Sequence, residues 1–391
     1  MPLRFLTAGE SHGPALTTIV EGLPAGVPVD KAAIDRDLVR RMGGFGRGGR
    51  MRIEKDEAAI LGGVRFGRTL GSPVVLQIVN RDHANWTEIM APLGDPPGDD
   101  ARRQVTRPRP GHADLAGAQK YGTHDARDIL ERASARETAA RTAAGALAKG
   151  LLRELGAVVT SRTVAVGRAA AAEGEGEDVD ALLGLPDDAP MRSTSAATIE
   201  AMIAEVEAAR GRGDSVGGCF EVLARGLPPG LGSHVHWDRR LDARLGGAIL
   251  SIQAVKAVSI GEGLERASGG GREAHDPIGY DAKERRFTRA SNRAGGIEGG
   301  MTNGEVVRIR GYLKPLATLP RPLPSVDLVT KEPFVADVER TDTVPIVAAG
   351  VVGEAMVALV LADAMLEKFG GDALSETRAN LDAYVERLRG F

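Results

Sequence analysis

Apolar and polar residues alternate at the start of the chain and again after a short glycine turn. Residues 3–8 and 15–21 are therefore predicted as strands joined by Gly9-Glu10-Ser11-His12-Gly13. The rhythm changes to helical spacing over 30–42 and returns to alternation over 53–80. Breaks at Gly62-Gly63 and Gly71-Ser72-Pro73 divide that stretch into antiparallel strands. Residues 81–106 hold no period and are expected to form a long polar loop that covers a site. Ser134 and Glu137 then stand at capping-box spacing before the run TAARTAAGALAKGLLREL, so a helix is predicted to start at Ser134. Its free amides and positive dipole end would face the side of Arg132 or Arg136. Such a helix start binds phosphate or carboxylate, although an ordinary capped surface helix satisfies the same spacing.

The second half repeats this style. Residues 157–169 read as a strand, 170–190 as a Gly/Asp/Pro-rich connector, 196–210 as an amphipathic helix and 217–225 as a strand. A helix over 241–258, containing Gln253 and Ala254, is followed by a strand, and 265–290 reads as a mobile loop. Alternation returns over 305–312 and in a short strand at 334–339. Helices are expected over 351–369 and 375–389, the first apolar around most of its circumference and so buried in the core or at a subunit contact. This succession predicts an α+β fold in one domain over 1–391, with a suspected internal repeat of strand-helix-strand halves over 1–160 and 161–391.

With 391 residues the chain has ample material for a core, and its formal net charge of -3 argues against a nucleic-acid binder driven by overall charge. Cys219 is the only cysteine, which excludes an internal disulfide and a thiolate metal site and fits a reducing compartment, so the cytoplasm is expected. His234 and His236 have no ligand companions at metal spacing, and no metal is expected. The N-terminal residues MPLRFLTAGESHG lack a charged leader followed by an apolar core, and no membrane segment is expected.

Candidate chemistry gathers in a few segments. RRMGGFGRGGRM, residues 40–51, sets Arg41, Arg47 and Arg50 among glycines, where guanidiniums can grip carboxylate or phosphate through paired hydrogen bonds. Arg-Gly-Gly stretches also occur in RNA-binding tails, but this one is a single copy with almost no aromatic interleaving, which favours a small polyanion. Arg107-Pro108-Arg109-Pro110-Gly111-His112 is a stiff loop presenting an imidazole between cations, and His12 sits on a turn at a strand end. Each histidine is a candidate proton donor; each also reads as a structural residue of its own loop. Arg340 and Asp342 point the same way if their segment is extended. The paired glycines of 292–304 let a flat ring or phosphate approach the backbone, and no G-x-G-x-x-G follows an early strand.

Taken together, TAGESHG (7–13), RRMGGFGRGGRM (40–51), RPRPGHADLAGAQKYG (107–122), ERASARETAAR (131–141), GDSVGG (213–218), NRAGGIEGGMTNG (292–304), KPLATL (314–319) and RTDTVP (340–345) resemble the chorismate synthase family over nearly the whole chain. The resemblance implies a β-α-β-α sandwich core with long active-site loops. It also implies anti-1,4-elimination of phosphate and a proton from 5-enolpyruvylshikimate 3-phosphate to give chorismate, the last common step of the shikimate pathway. Reduced FMN is required without net redox change, and some members use NADPH to reduce it. Carried over by position, His12 protonates the departing phosphate, His112 supplies or holds a proton at the flavin edge, and Asp342 assists proton removal through the flavin N5. Arg41, Arg47, Arg50, Arg109, Ser134, Arg136 and Arg340 match substrate-binding positions, with Arg41 and Arg47 also associated with NADP. Arg132, Ser134, Ala135, Arg136, Gln253, Ala254, Gly299, Gly300, Lys314, Pro315, Leu316, Ala317, Thr318 and Arg340 match FMN-contacting segments. A homotetramer is implied, and the lack of a nicotinamide domain favours a separate flavin reductase as partner. A plain FMN redox protein remains the competing enzyme class; it has no need of the Arg cluster.

Overall fold

The structure is a computed structural model that describes residues 2–49, 54–95, 97–98 and 103–391; Arg50 lies outside the described residues. In the N-terminal half, Arg4–Ala8, Ala15–Glu21, Val74–Val79 and Ala58–Gly62 form an antiparallel sheet in that spatial order. Alternation puts Leu16, Val20, Val74, Leu76 and Ile78 on the buried face, where the helices Lys31–Met42 and Thr138–Glu154 cover them. In the C-terminal half, Val255–Ile260, Val307–Leu313, Gly218–Arg225 and Val158–Val166 form a second antiparallel sheet, extended by Ala169–Ala170. Leu241–Leu250 and the apolar helix Ile346–Phe369 cover it.

The class is α+β, as expected, with the layers in the order sheet, helix, helix, sheet. Thr138–Glu154 and Ile346–Phe369 meet each other at the centre instead of alternating with the sheets. Small side chains make that meeting close: Ala139, Ala140, Ala143, Ala144 and Ala148 are buried, and Gly145 lies directly against Ala355. By length and composition Ile346–Phe369 could cross a membrane, but it is the buried core helix of this protein. Of its charged side chains, Glu354 alone is buried. Burial acts to raise the Glu354 carboxyl, yet the Arg40 guanidinium and Lys149 hold it below the usual carboxylate range, and Ser161 Oγ donates to it at 2.6 Å.

In each sheet the four main strands stand in the spatial order first, second, fourth, third, and a long helix, Thr138–Glu154 or Ile346–Phe369, follows the fourth strand; the second half carries the additional helix Ala196–Gly211 between its first two strands. The two long helices pack on one another.

Several elements differ from the sequence expectation. Ser134 caps only a single 3-10 turn, Ala135–Glu137, accepting from the Arg136 amide at 3.3 Å, and the α-helix begins at Thr138. Glu137 does not reach back to close the capping box, because Thr7 Oγ1 donates to it at 2.6 Å and Arg141 pairs with it. The helix expected over 241–258 stops at Leu250; Ala254 adopts the left-handed φ of 68°, and Val255 already starts the next strand. Residues 265–290 contain the hairpin Ile278–Asp281 with Arg286–Arg289, and 170–190 contain the short helix Val179–Leu183. The strand expected over 334–339 is confined to Pro333–Val335, paired with Pro324–Val326. The apolar helix begins at Ile346 rather than at residue 351.

Candidate active site

Turns from both halves converge on a cavity of about 410 Å³. From the first half come Ser11 and His12, Arg41 at the end of its helix, the Arg47-Gly48-Gly49 loop, Arg109, Gly111 and His112, and Ser134 to Arg136. From the second come Ile252 to Ala254, Leu313, Lys314, Leu316 to Thr318, and Glu339 to Asp342. Ala348, Ala349 and Val352 of the apolar helix form an apolar floor with Ile252 and Leu313.

One wall is cationic. The buried Arg136 donates from Nη1 to Asp56 Oδ2 at 2.6 Å and from Nε to Asn80 Oδ1 at 2.9 Å. Asn80 in turn donates to the carbonyls of Glu10 and Gly13, so one side chain fixes Arg136 relative to the His12 turn. Arg41 donates to Thr138 Oγ1 and to the Ala135 carbonyl, and its Nη1 stands 3.6 Å from Asp56. Burial pulls the Arg41 guanidinium down from 12.5 to about 9; Asp56 opposes this, while Arg136 and Arg47 add to it. Arg47 pairs with Asp342 at 2.8 Å, and Arg340 pairs with Asp82. The carboxylates lie behind or beside the guanidiniums and orient them, leaving a positively biased cavity suited to a polyanion.

The two imidazoles are each backed by a carboxylate. His112 Nδ1 lies 2.6 Å from Asp114 Oδ1, and Arg109 clamps the same carboxylate through Nε at 2.8 Å and Nη2 at 3.0 Å while donating from Nη1 to Thr318. Burial acts to raise Asp114, but the hydrogen bonds from His112 and Arg109 hold it well below the usual carboxylate range. His12 Nδ1 lies 2.8 Å and 3.0 Å from the two oxygens of Glu131, and its ring stacks on Trp86 with centroids 3.9 Å apart.

Most of the expected site residues thus share one cavity: His12, Arg41, Arg47, Arg109, His112, Ser134, Ala135, Arg136, Gln253, Ala254, Lys314, Leu316, Ala317, Thr318, Arg340 and Asp342 all line it. Four do not. Arg132 turns away to donate to the carbonyls of Thr7 and Gly9, and Pro315 packs beside Gly217. Gly299 and Gly300 form the turn between Ile297–Glu298 and Met301–Thr302, with Gly300 pressed on Arg240 and Ser233. Sequence reading passed over Asp56, Asp82, Trp86, Asp114 and Glu131. Glu131 stood inside a quoted motif, but nothing local signals that it faces His12.

An α+β fold whose cavity joins a guanidinium wall to two carboxylate-backed imidazoles belongs to a protein equipped to bind a polyanion and to move protons on it. The family model described as chorismate synthase matches residues 3–366. A chorismate synthase of Solibacter usitatus is 55% identical over 389 residues, covering 100% of both chains, and one of Geobacter sulfurreducens is 54% identical over 395 residues, again covering 100% of both. A solved structure titled as the crystal structure of chorismate synthase superposes with a TM-score of 0.77 at 40% identity, covering 100% of this chain and 99% of that one. The chain belongs to the chorismate synthase family. It is a carbon-oxygen lyase that removes phosphate and a proton from 5-enolpyruvylshikimate 3-phosphate to give chorismate, on the route to the aromatic amino acids.

Proposed function

We propose that the cavity holds 5-enolpyruvylshikimate 3-phosphate against reduced FMN, with the residues brought together there in the following roles. The observation that carries this reading is the convergence of Arg41, Arg47, Arg136 and Arg340 with His12, His112 and Asp342 on one cavity above an apolar floor. A flavin fits the chemistry of that floor. Gln253 Oε1 is buried and accepts no hydrogen bond, leaving an acceptor for an N–H of a bound group, and Ile252, Leu313, Ala349 and Val352 supply apolar surface in the same cavity. Ser134, Ala135, Arg136, Gln253, Ala254, Lys314, Leu316, Ala317, Thr318 and Arg340 would hold it. When bound, reduced FMN supplies electron density that assists phosphate loss and is recovered as the proton leaves.

The chain's own residues do the rest. Arg41, Arg47, Arg136 and Arg340 neutralise the substrate's phosphate and carboxylates and fix its orientation. His12 gives a proton to the departing phosphate oxygen, and His112, fixed by Asp114, supplies or holds a proton at the ring edge. Asp342 acts as the local base for the proton that leaves carbon. Arg109 has its donors committed to Asp114 and Thr318, so it acts on His112 and not directly on the substrate. We further propose a homotetramer, a cytoplasmic location consistent with the single buried thiol of Cys219, and a separate flavin reductase as partner, with Arg41 and Arg47 as the NADP-associated positions.

The test is anaerobic incubation of the protein with FMN, dithionite and 5-enolpyruvylshikimate 3-phosphate. Phosphate release without matching flavin oxidation is expected, whereas one flavin oxidised per phosphate released would make the protein a redox flavoenzyme. Replacing dithionite with NADPH is expected to give no turnover until a reductase is added; turnover with NADPH alone would remove the reductase from the scheme.

A further inference from the structure

His12 is held more firmly than a turn histidine requires. Its backbone amide donates to Glu131 Oε2 at 2.8 Å, its Nδ1 lies within 3.0 Å of both Glu131 oxygens, and the neighbouring Ser11 amide donates to the Glu131 carbonyl at 2.9 Å. Glu131 is fixed in turn: Arg127 donates to it from Nη1 at 3.0 Å, and Arg127 is held through Nη2 by Glu339 and through Nε by the Arg103 carbonyl. The buried Trp86 ring lies against the imidazole, with the Arg103 and Arg127 guanidiniums over Trp86. Around the imidazole stand Asp82, with Oδ2 4.0 Å from Nε2 and itself paired to Arg340, and His83, whose Nδ1 meets the His12 carbonyl at 2.9 Å.

We propose that Glu131 is a positioning residue for the elimination, holding the Nδ1 proton of His12 so that Nε2 is the nitrogen that exchanges protons with the cavity. This rests on the reading of His12 as the acid. An ionised carboxylate can only accept, so the nitrogen facing it carries hydrogen, and the neutral ring is thereby fixed as the Nδ1–H tautomer. From the imidazolium, the Nε2–H bond breaks and an O–H bond forms on the departing phosphate. The neutral ring that remains keeps its Nδ1–H on Glu131, and no proton passes to the carboxylate. The ionised state of Glu131 agrees with this. Burial acts to raise its carboxyl, but the hydrogen bond and charge of His12, joined by Arg127, bring it below its ordinary value. Holding the ring by its backbone, its edge and its face keeps Nε2 in one place between turnovers, which a turn flanked by Gly9 and Gly13 would not do by itself.

Two measurements test this. In protein labelled with 15N-histidine, the resonances missing from His12→Asn identify His12, and its neutral ring is expected to carry the proton on Nδ1; a proton on Nε2 overturns the proposal. In steady-state kinetics, Glu131→Gln keeps an acceptor but loses the charge. It is expected to lower kcat about tenfold at nearly constant KM and to move the alkaline limb of the kcat profile to lower pH, with Glu131→Asp recovering part of the loss. Unchanged kcat and pH profile in Glu131→Gln, beside a His12→Asn variant that has lost turnover, would sink the role of Glu131 alone. Retained turnover in His12→Asn would instead remove the acid reading of His12. If Glu131→Gln does not fold, the labelled unaltered protein still decides the tautomer.

Discussion

Gly48 lies so close to Thr341 that a Cβ on it would stand 2.4 Å from the Thr341 carbonyl oxygen. The same glycine donates its amide to Asp342 Oδ1 at 2.6 Å, while the adjacent Arg47 pairs with Asp342 Oδ2 at 2.8 Å. The Arg-Gly loop of the first half is thus pinned to the Arg340–Asp342 segment of the second, and the pin sets where the Arg47 charge stands. Gly48→Ala is expected to push the loop off that segment and raise KM for the substrate about tenfold with a smaller change in kcat, because a misplaced guanidinium loses ground-state as well as transition-state binding. Steady-state kinetics at two salt concentrations checks it. An unaltered KM would separate this loop from substrate binding.

Arg41 is a cation whose burial is only partly compensated. Its folded value of about 9 lies below the ordinary 12.5, so the unfolded chain binds that proton more tightly. Stability is therefore reduced by the full penalty below pH 9 and rises with pH between 9 and 12.5. Arg41→Met is expected to raise the Tm of the ligand-free protein by about 1–3 °C while abolishing the extra stabilisation that substrate gives. Thr138 Oγ1 and the Ala135 carbonyl, which lose Arg41 as a donor, already share a hydrogen bond with each other at 2.5 Å. Thermal denaturation with and without substrate reads both effects, and a lower Tm in the variant would show Arg41 to be well compensated by Asp56.

Much of this was legible in the sequence. The strand and helix rhythm marked most of the main strands and helices in order, and the Arg, His and Gly motifs marked most of the cavity wall. What escaped was decided by partners far along the chain. Glu137 has capping-box spacing, but Thr7 and Arg141 bind it first, and so the helix starts at Thr138. The apolar period through 241–258 continues past Leu250, yet Ala254 takes a left-handed conformation so that Val255 can join the sheet beside Leu313. Glu131, Asp82 and Trp86 lie on unrelated local patterns, and only the folded chain brings them around His12. The order of the layers was hidden for the same reason: Gly145 and Ala355 each read as ordinary helix residues until the two helices are seen to touch.

The Asp114 carboxylate gives a prediction with a defined sign. Because its folded value is depressed, its pairing with Arg109 and His112 contributes stability above the unfolded value near 4, and this is lost as pH falls through the folded value. The stability gap between the unaltered protein and Asp114→Asn is expected to be full at pH 7 and to narrow below about pH 4. Urea denaturation across that range measures it. Arg109→Lys, which cannot clamp the carboxylate through two nitrogens, is expected to lower kcat with little change in KM. A large rise in KM would return Arg109 to the substrate.

The last prediction joins the core to the chemistry. Gly145 in the central helix faces Ala355 in the apolar helix, and a Cβ at Gly145 would lie 2.3 Å from both Cα and Cβ of Ala355, distances that only a shift of one helix can relieve. Helix propensity favours Gly145→Ala by roughly 1 kcal/mol, but overpacking at a backbone contact costs about 1–3 kcal/mol, so the close contact is expected to win. The damage should reach the site. Thr138, at the start of the first helix, holds Arg41, and Ala348, Ala349 and Val352 of the second form the cavity floor, so parting the helices separates the cationic wall from the surface on which a ring would lie. Gly145→Ala should therefore lower both the urea midpoint and the affinity for reduced FMN. Gly145→Val, with a bulkier side chain at the same backbone contact, should deepen both losses, and their growing together is the decisive part. A urea midpoint that falls while the affinity for reduced FMN stays unaltered would show that the two helices do not transmit packing to the site.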